Sequence, residues 1–253
     1  MQKDPWISVI LPNYNEANNL KRGVLTEIND FLLTQSYSFE VIISDDGSSD
    51  NSLEIVDKFV ETHPAFRIIH NQHAGKPFAL RSAIKEAKGK YVLFSDMDQS
   101  TPIGELAKLT PWAEQGYKIV IGSRGAKRSD TAIYRQVASI IFLMARRLII
   151  LPEIKDTQCG FKLVDRELAK KIFANLRILG RASNTEGWKV TAYDVEMLFL
   201  AKKMGAEIKE VRVAWKNEDT STGKSRNFVK ESVEMLLEIL RVRVNEILGK
   251  YHI

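Results

Sequence analysis

The most constraining feature of the chain is a regular alternation of short apolar runs with longer amphipathic segments through its first half. Ile7–Leu11, Val41–Ser44, Ile68–His70, Tyr91–Phe94 and Ile119–Ile121 are compact apolar runs of the kind buried in a parallel sheet. Between them, Ala17–Leu33, Ser52–Glu61, Pro77–Lys88 and Ile103–Glu114 carry helical spacing. Such a repeat predicts right-handed βαβ crossovers, hence an α/β fold with a doubly wound, mostly parallel central sheet and helices on both faces. Ligands of these sheets sit beyond the carboxyl ends of the strands, so the residues after each run are where chemistry is expected.

Four of those positions are markedly polar. The first run leads into Pro12-Asn13-Tyr14-Asn15-Glu16, the second into Asp45-Asp46-Gly47-Ser48-Ser49-Asp50, the third into His73-Ala74-Gly75-Lys76 and the fourth into Asp96-Met97-Asp98-Gln99. Two carboxylates one residue apart at a strand end can converge on one hard divalent cation, which often also holds substrate phosphates. Asp45 and Asp46 can accept from a ribose hydroxyl or a base N–H, while Ser49 or Asp50 can cap the next helix. Neither a G-x-G-x-x-G nor a G-x-x-x-x-G-K-[ST] sequence is present, which disfavours a nicotinamide site and excludes a P-loop.

The second half is less regular. It reads as a helix-like stretch Tyr134–Leu151, a polar turn Asp156–Gly160, helices near Arg166–Leu176 and Tyr193–Met204, a strand Glu207–Val213, a polar loop Asn217–Asn227 and a closing helix Phe228–Gly249. Charge divides along the same line. Of 37 Lys and Arg and 32 Asp and Glu, residues 1–121 hold 12 and 16, and residues 122–253 hold 25 and 16. The basic second half therefore calls for an anionic partner or for a solvation explanation. The single Cys159 has no intramolecular partner, pointing to a reducing, intracellular setting and a small buried thiol. Met1–Trp6 is too short and polar for a secretory signal, and no apolar stretch reaches the roughly 20 residues that span a bilayer. Interleaved aromatics and recognisable nucleic-acid motifs are lacking, so no nucleic-acid partner is expected despite an isoelectric point near 9.1.

Taken in order, Ile7–Leu20, Ser44–Ser52, Gly75–Ala87 and Tyr91–Gln99 resemble the successive motifs of the family-2, GT-A-fold glycosyltransferases. Gly122-Ser123-Arg124, Asp156–Leu163 and Tyr193–Glu196 are similar to the branch acting on lipid phosphates, the dolichyl-phosphate glucosyltransferase and polyprenyl-phosphate mannose synthase kind. The resemblance implies a catalytic domain over residues 1–226, with a sugar-nucleotide half at 1–121 and an acceptor half at 122–226, followed by an amphipathic helix at 227–253. It implies an inverting transfer of a hexose, glucose first, from a nucleoside diphosphate to a polyprenyl or dolichyl phosphate, with Mg²⁺ or Mn²⁺ as cofactor. UDP-glucose is the favoured donor and GDP-mannose the second. A glycosyltransferase with a hydroxyl acceptor is the alternative, and a nucleotide-binding module without activity a more distant one.

By the same resemblance Pro12, Tyr14, Glu16, Asp45, Asp46, Lys76, Asp96, Met97, Asp98, Ser225 and Arg226 bind the sugar nucleotide. Asp96, Asp98 and Gln99 hold the metal, with Gln99 one place early relative to the mannose-synthase pattern. Arg124, Lys127, Arg128, Arg135 and Lys162 receive the acceptor phosphate, and Asp98, Asp156 and Arg124 carry catalysis. The implied location is peripheral, on the cytoplasmic face of a membrane. Tyr134–Leu151 reads equally as a helix in the headgroup region or a core helix, and the stripe of the closing helix fits internal docking, a homodimer or membrane contact.

Overall fold

The computed structural model describes residues 4–124, 151–181, 193–216, 218–220 and 228–251. Among these, seven strands form one sheet in the order β3-β2-β1-β4-β6-β5-β7: β1 Ile7–Asn13, β2 Phe39–Asp45, β3 Phe66–His70, β4 Tyr91–Phe94, β5 Ile119–Ser123, β6 Lys162–Asp165 and β7 Ile208–Arg212. All neighbours pair in parallel except β6, which runs antiparallel to both β4 and β5. The expected strands are all present: β1, β2, β3 and β5 are lengthened by one to two residues at one end or both, β4 is as expected, and β7 is one residue shorter at each end. The strand β6 is additional, because a four-residue segment opening on a lysine carries no apolar signature of its own.

The helices are α1 Ala17–Lys21, α2 Val24–Leu33, α3 Ser52–Val60, α4 Lys76–Glu86, α5 Leu106–Glu114, α6 Arg166–Asn175, α7 Tyr193–Lys203 and α8 Phe228–Ile247. The single helix expected over Ala17–Leu33 is divided at Gly23, whose φ of +86° lies in the left-handed region that only glycine enters without cost. The stretch expected to be helical from Ile103 begins as a 3-10 turn, Ile103–Glu105, before α5.

Strand side chains alternate between two cores, as their period of two requires. Ile7, Val9, Leu11, Val41, Ile43 and Leu93 pack with α2 and α5 on one face. Ile10, Ile42, Val92, Phe94, Ile119 and Val164 pack with α4, α6 and α7 on the other, where Ile239 and Val242 of α8 join them. The sheet is therefore covered on both faces.

The register of β6 positions the site. Phe94 pairs with Lys162, so the antiparallel run continued upstream sets Gly160 opposite Asp96. Ile121 also pairs with Lys162, and the N–H of Gly122 donates to the Phe161 carbonyl at 2.8 Å. One short strand thus brings the Asp156–Gly160 turn against the carboxyl ends of β4 and β5 together.

Candidate active site

A cleft of about 150 Å³ opens at this point, lined by Asp96, Asp98, Ser100, Thr101, Arg124, Gln158, Gly160, Phe161, Trp215 and Asp219. Its lining comes from the segment after β4, the end of β5, the approach to β6 and the segment after β7. That is the expected edge of an open α/β sheet, beside the point where the strand order departs from β1 to β2 on one side and β4 on the other.

On the β4 side, Lys76 at the start of α4 donates from Nζ to Asp96 Oδ1. Burial works against the charge of Lys76, but Asp96, Tyr193 and Asp194 outweigh it and hold the ammonium protonated well beyond its ordinary range. The Ser100 N–H donates to Asp98 Oδ1 at 2.8 Å. Burial, followed by the charge of Asp96, raises the Asp98 pKa against the opposing Ser100 hydrogen bonds, and Asp219 raises it further. Gly160 admits Asp96: a Cβ there would stand 2.1 Å from Asp96 Oδ2, so no other residue fits without displacing the carboxylate.

On the β5 side, Arg124 forms a two-pronged pair with Asp156, Nε to Oδ2 at 2.8 Å and Nη2 to Oδ1 at 2.9 Å, and its backbone N–H also donates to Oδ2. Both side chains are mostly buried, 19% and 15% exposed. Desolvation would raise the Asp156 pKa, but its bonds to Arg124 prevail and bring it down to about 2. The guanidinium carbon lies 5.7 Å from the Trp215 ring centroid, and Nη1 is left uncommitted among the described residues. A planar cation fixed by a carboxylate on one edge, with its other edge toward a polar cleft, is suited to a phosphate.

A segment after β7 closes a third side. The Lys216 N–H donates to the Ser100 carbonyl, Glu218 N–H to Ser100 Oγ, and the Thr220 N–H and hydroxyl both to Asn19 Oδ1. Arg22 donates to the Glu218 carbonyl at 2.6 Å. These bonds tie residues 216–220 to α1 and place Trp215 and Asp219 at the cleft. Neither was expected there, and Trp215 is 39% exposed. The signal for both was available, since they follow a strand end as the other polar segments do.

Several expected ligands are placed differently. Asp45 accepts from Asn13 Nδ2, the Ser48 hydroxyl and the N–H groups of Gly47 and Ser48, and is 1% exposed. Asp46, fully buried, accepts from the N–H groups of Ala74 and Gly75, with His73 Nδ1 2.9 Å from its Oδ2. Both carboxylates therefore build the loops after β2 and β3, rather than standing open to a base or ribose. Glu16 is buried and accepts from Asn19 at 2.6 Å, while Tyr14 stacks on His73 at 4.3 Å beside it. Pro12 is buried in β1, and Met97 belongs to the core. Asp50 lies one residue before Asn51, the N-cap of α3, and accepts from the first N–H groups of two helices, those of Ser52 and Ala17.

Lys162 is also corrected. It is 1% exposed, donating to Asp194 at 2.5 Å and to the Cys159 carbonyl, so it braces the turn before β6 against α7 and has no open face for an acceptor phosphate. Gln99, with φ of +51°, donates through Nε2 to Ser95 Oγ and the Asp96 carbonyl and is not among the residues lining the cleft, while its buried Oε1, the atom a metal would take, has no hydrogen-bond partner among the described residues. Cys159 is buried as expected, and burial pushes its thiol up. Lys127, Arg128, Arg135, Ser225, Arg226 and the stretch Tyr134–Ile150 lie outside the described residues.

The donor set suits a hard divalent cation. Asp96 and Asp98 supply oxygens at one cleft wall, with Asp219 on the facing segment. Among the described residues no group of three or more His, Cys, Asp or Glu is placed to hold a metal unaided. A pair of carboxylates completed by substrate phosphates is the arrangement Mg²⁺ commonly uses.

The sequence profile described as Glycosyl transferase family 2 matches residues 8–173. The chain belongs to that family. It is 34% identical to the dolichyl-phosphate beta-glucosyltransferase of Dictyostelium discoideum, over 98% of this chain and 77% of that protein. The corresponding Saccharomyces cerevisiae enzyme is 30% identical, over 97% and 76%. Among solved structures, glucosyl-3-phosphoglycerate synthase from Mycobacterium tuberculosis in complex with uridine-diphosphate superposes with a TM-score of 0.63 at 19% identity, covering 95% of this chain and 80% of that one. Mannosyltransferase PcManGT from Pyrobaculum calidifontis in complex with GDP-Man and Mn²⁺ gives 0.59 at 20% identity, over 95% and 65%. The GT-A fold expected from the motifs is the fold of this family 2 glycosyltransferase.

Proposed function

We propose that the protein transfers a hexose, glucose in the first instance, from a nucleoside diphosphate to a polyprenyl phosphate of the dolichyl type, inverting the anomeric centre. The observation that carries this reading is the opposition, across one cleft, of the Asp96 and Asp98 carboxylates and the Arg124–Asp156 pair. The two relatives named above are dolichyl-phosphate glucosyltransferases, which supports the acceptor class.

In this reading the diphosphate lies on the β4 wall, where Asp96, Asp98 and Asp219 would hold Mg²⁺ or Mn²⁺. The cation supplies charge neutralisation to the departing nucleotide. Lys76 fixes Asp96 in place, and Ser100 does the same for Asp98. Arg124, held in orientation by Asp156, receives the acceptor phosphate through Nη1. A phosphate oxygen attacks the anomeric carbon, the bond from that carbon to the diphosphate breaks, and its electron pair leaves with the nucleotide. The acceptor is already anionic at neutral pH, so Asp156 need not remove a proton, and its depressed pKa suits an orienting carboxylate.

In this reading the protein works against a membrane surface; no described helix is long and apolar enough to cross a bilayer. Incubation with Mg²⁺ or Mn²⁺, labelled UDP-glucose or GDP-mannose and a polyprenyl phosphate should yield a lipid-linked sugar. Absence of product with every donor and lipid would refute it, and product with hydroxyl acceptors alone would move the protein to polysaccharide or glycan synthesis.

A further inference from the structure

Trp215 is the one aromatic side chain among the described residues that stands exposed, at 39%, and it does so at the cleft. Its main chain is fixed on both sides. The Val213 N–H donates to the Ser123 carbonyl, the Ala214 N–H to Glu105 Oε2 at 2.9 Å, and the Lys216 N–H to the Ser100 carbonyl at 2.8 Å. Ser123 directly precedes Arg124 and Ser100 closely follows Asp98, so the indole is registered to both walls of the cleft. A large ring held in place with much of its face in water forgoes the burial it would contribute in a core. Trp6 and Trp112, by contrast, pack against the apolar core.

The position of the ring selects among the parts of the substrates. Asp96, Asp98, Ser100, Thr101, Gln158 and Asp219 give most of the cleft a polar lining, suited to a diphosphate and to the hydroxyls of a hexose. Apolar surface is gathered on the Arg124 side. There the Trp215 ring meets the guanidinium, and Phe161 joins the lining beside β5, its carbonyl accepting from Gly122. A phosphate taken by Arg124 Nη1 therefore has an indole face next to it, and the group esterified to that phosphate is what can reach the face. A cation and an aromatic ring side by side match an anion that carries hydrocarbon.

We propose that Trp215 selects the acceptor, its indole packing on the prenyl unit nearest the phosphate that Arg124 holds. A hexose is the competing occupant of such a face, and position decides against it. The transferred sugar lies between the diphosphate on the β4 wall and the acceptor phosphate, whereas Trp215 lies against Arg124 itself. The inference rests on the reading of a polyprenyl phosphate acceptor and deepens it, by naming what tells a prenyl phosphate from any other phosphate monoester.

The test uses the full chain and two phosphate monoesters: citronellyl phosphate, a short soluble prenyl ester, and methyl phosphate, which has the same head without the hydrocarbon. Binding is read by phosphorus NMR and by tryptophan emission in the wild type, Trp215→Phe and Trp215→Ala, each checked by circular dichroism. Citronellyl phosphate should change the emission of the wild type. That change should vanish in Trp215→Phe, which keeps an aromatic face and should still bind within a few-fold of the wild type. Trp215→Ala should bind citronellyl phosphate about tenfold more weakly, roughly what withdrawing two methylene groups from water contributes, and should hold methyl phosphate, and UDP-glucose with Mn²⁺, as the wild type does. Unchanged citronellyl phosphate binding in Trp215→Ala overturns the inference. So does an equal loss for methyl phosphate, which would make the ring a support for Arg124, or a loss confined to UDP-glucose, which would put the ring on the hexose. Binding through Trp215 without transfer to any lipid phosphate upholds the prenyl contact and counts against the acceptor reading alone. Transfer that Trp215→Ala carries out with wild-type preference for the prenyl ester does the reverse.

Discussion

Two pairs of carboxylates stand at the ends of β2 and β4, the strands on either side of β1, and the structure uses them in opposite ways. Asp45 and Asp46, after β2, are surrounded by backbone and side-chain donors and have almost no exposed surface. Asp96 and Asp98, after β4, line the cleft, Asp96 held there by Lys76 and Asp98 by Ser100. Donor supply makes the difference. The turns after β2 and β3 direct a series of N–H groups at Asp45 and Asp46, whereas the residue facing Asp96 across the sheet is Gly160, which presents no side chain. Carboxylates with satisfied lone pairs hold loops, and carboxylates left open toward a cleft are available to a cation.

If that contrast is right, Asp98→Ala lowers kcat by about 10²–10³-fold, the order seen when one preorganised electrostatic group is removed, with no change in melting temperature. A rate within a few-fold of wild type would break the contrast on its functional side.

Asp156→Ala leaves Arg124 buried without its partner and costs about 3–5 kcal/mol in denaturant unfolding, together with acceptor use ahead of donor binding. The same pair sets a pH dependence. The folded Asp156 pKa is lowered to about 2. Its contribution is therefore fully present above the ordinary carboxylate pKa of about 4 and is lost as pH falls from there through about 2, a difference of about 2 kcal/mol. Wild type and Asp156→Asn should converge in stability over that window, and parallel curves would contradict the assignment.

Gly160→Ala forces a Cβ into Asp96 and costs about 1–3 kcal/mol by overpacking, with weaker binding of donor and Mn²⁺ by calorimetry. The smallest effect expected is for Asn19→Ala, which frees Thr220 from α1. It should raise the KM for the sugar nucleotide a few-fold and leave kcat unchanged.

The sheet was legible because its strands are apolar runs with nothing to contradict the pattern, and the location of the cleft followed from topology. What was hidden had specific physical causes. Strand β6 opens on Lys162, a charge that reads as a turn until Asp194 is seen to neutralise it in the interior. The roles of Asp46 and Asp96 cannot be told apart in one dimension, since both are acidic residues after an apolar run, and only the donors brought in by His73–Gly75 and the glycine brought in by β6 distinguish them. Trp215 and Asp219 reach the cleft through hydrogen bonds from Asn19, Arg22 and Ser100, between segments more than a hundred residues apart in sequence.

The central claim is that the two carboxylate pairs divide structure from chemistry, and one paired measurement tests it most directly. Asp45→Asn and Asp98→Asn, each nearly isosteric, are compared for melting temperature and for lipid-linked glucose formed per folded molecule in the presence of Mn²⁺. The account predicts that Asp45→Asn melts lower and turns over normally once folded, while Asp98→Asn melts like the wild type and forms almost no product. The reverse pattern, or equal loss of activity in both with no loss of stability in either, would contradict it.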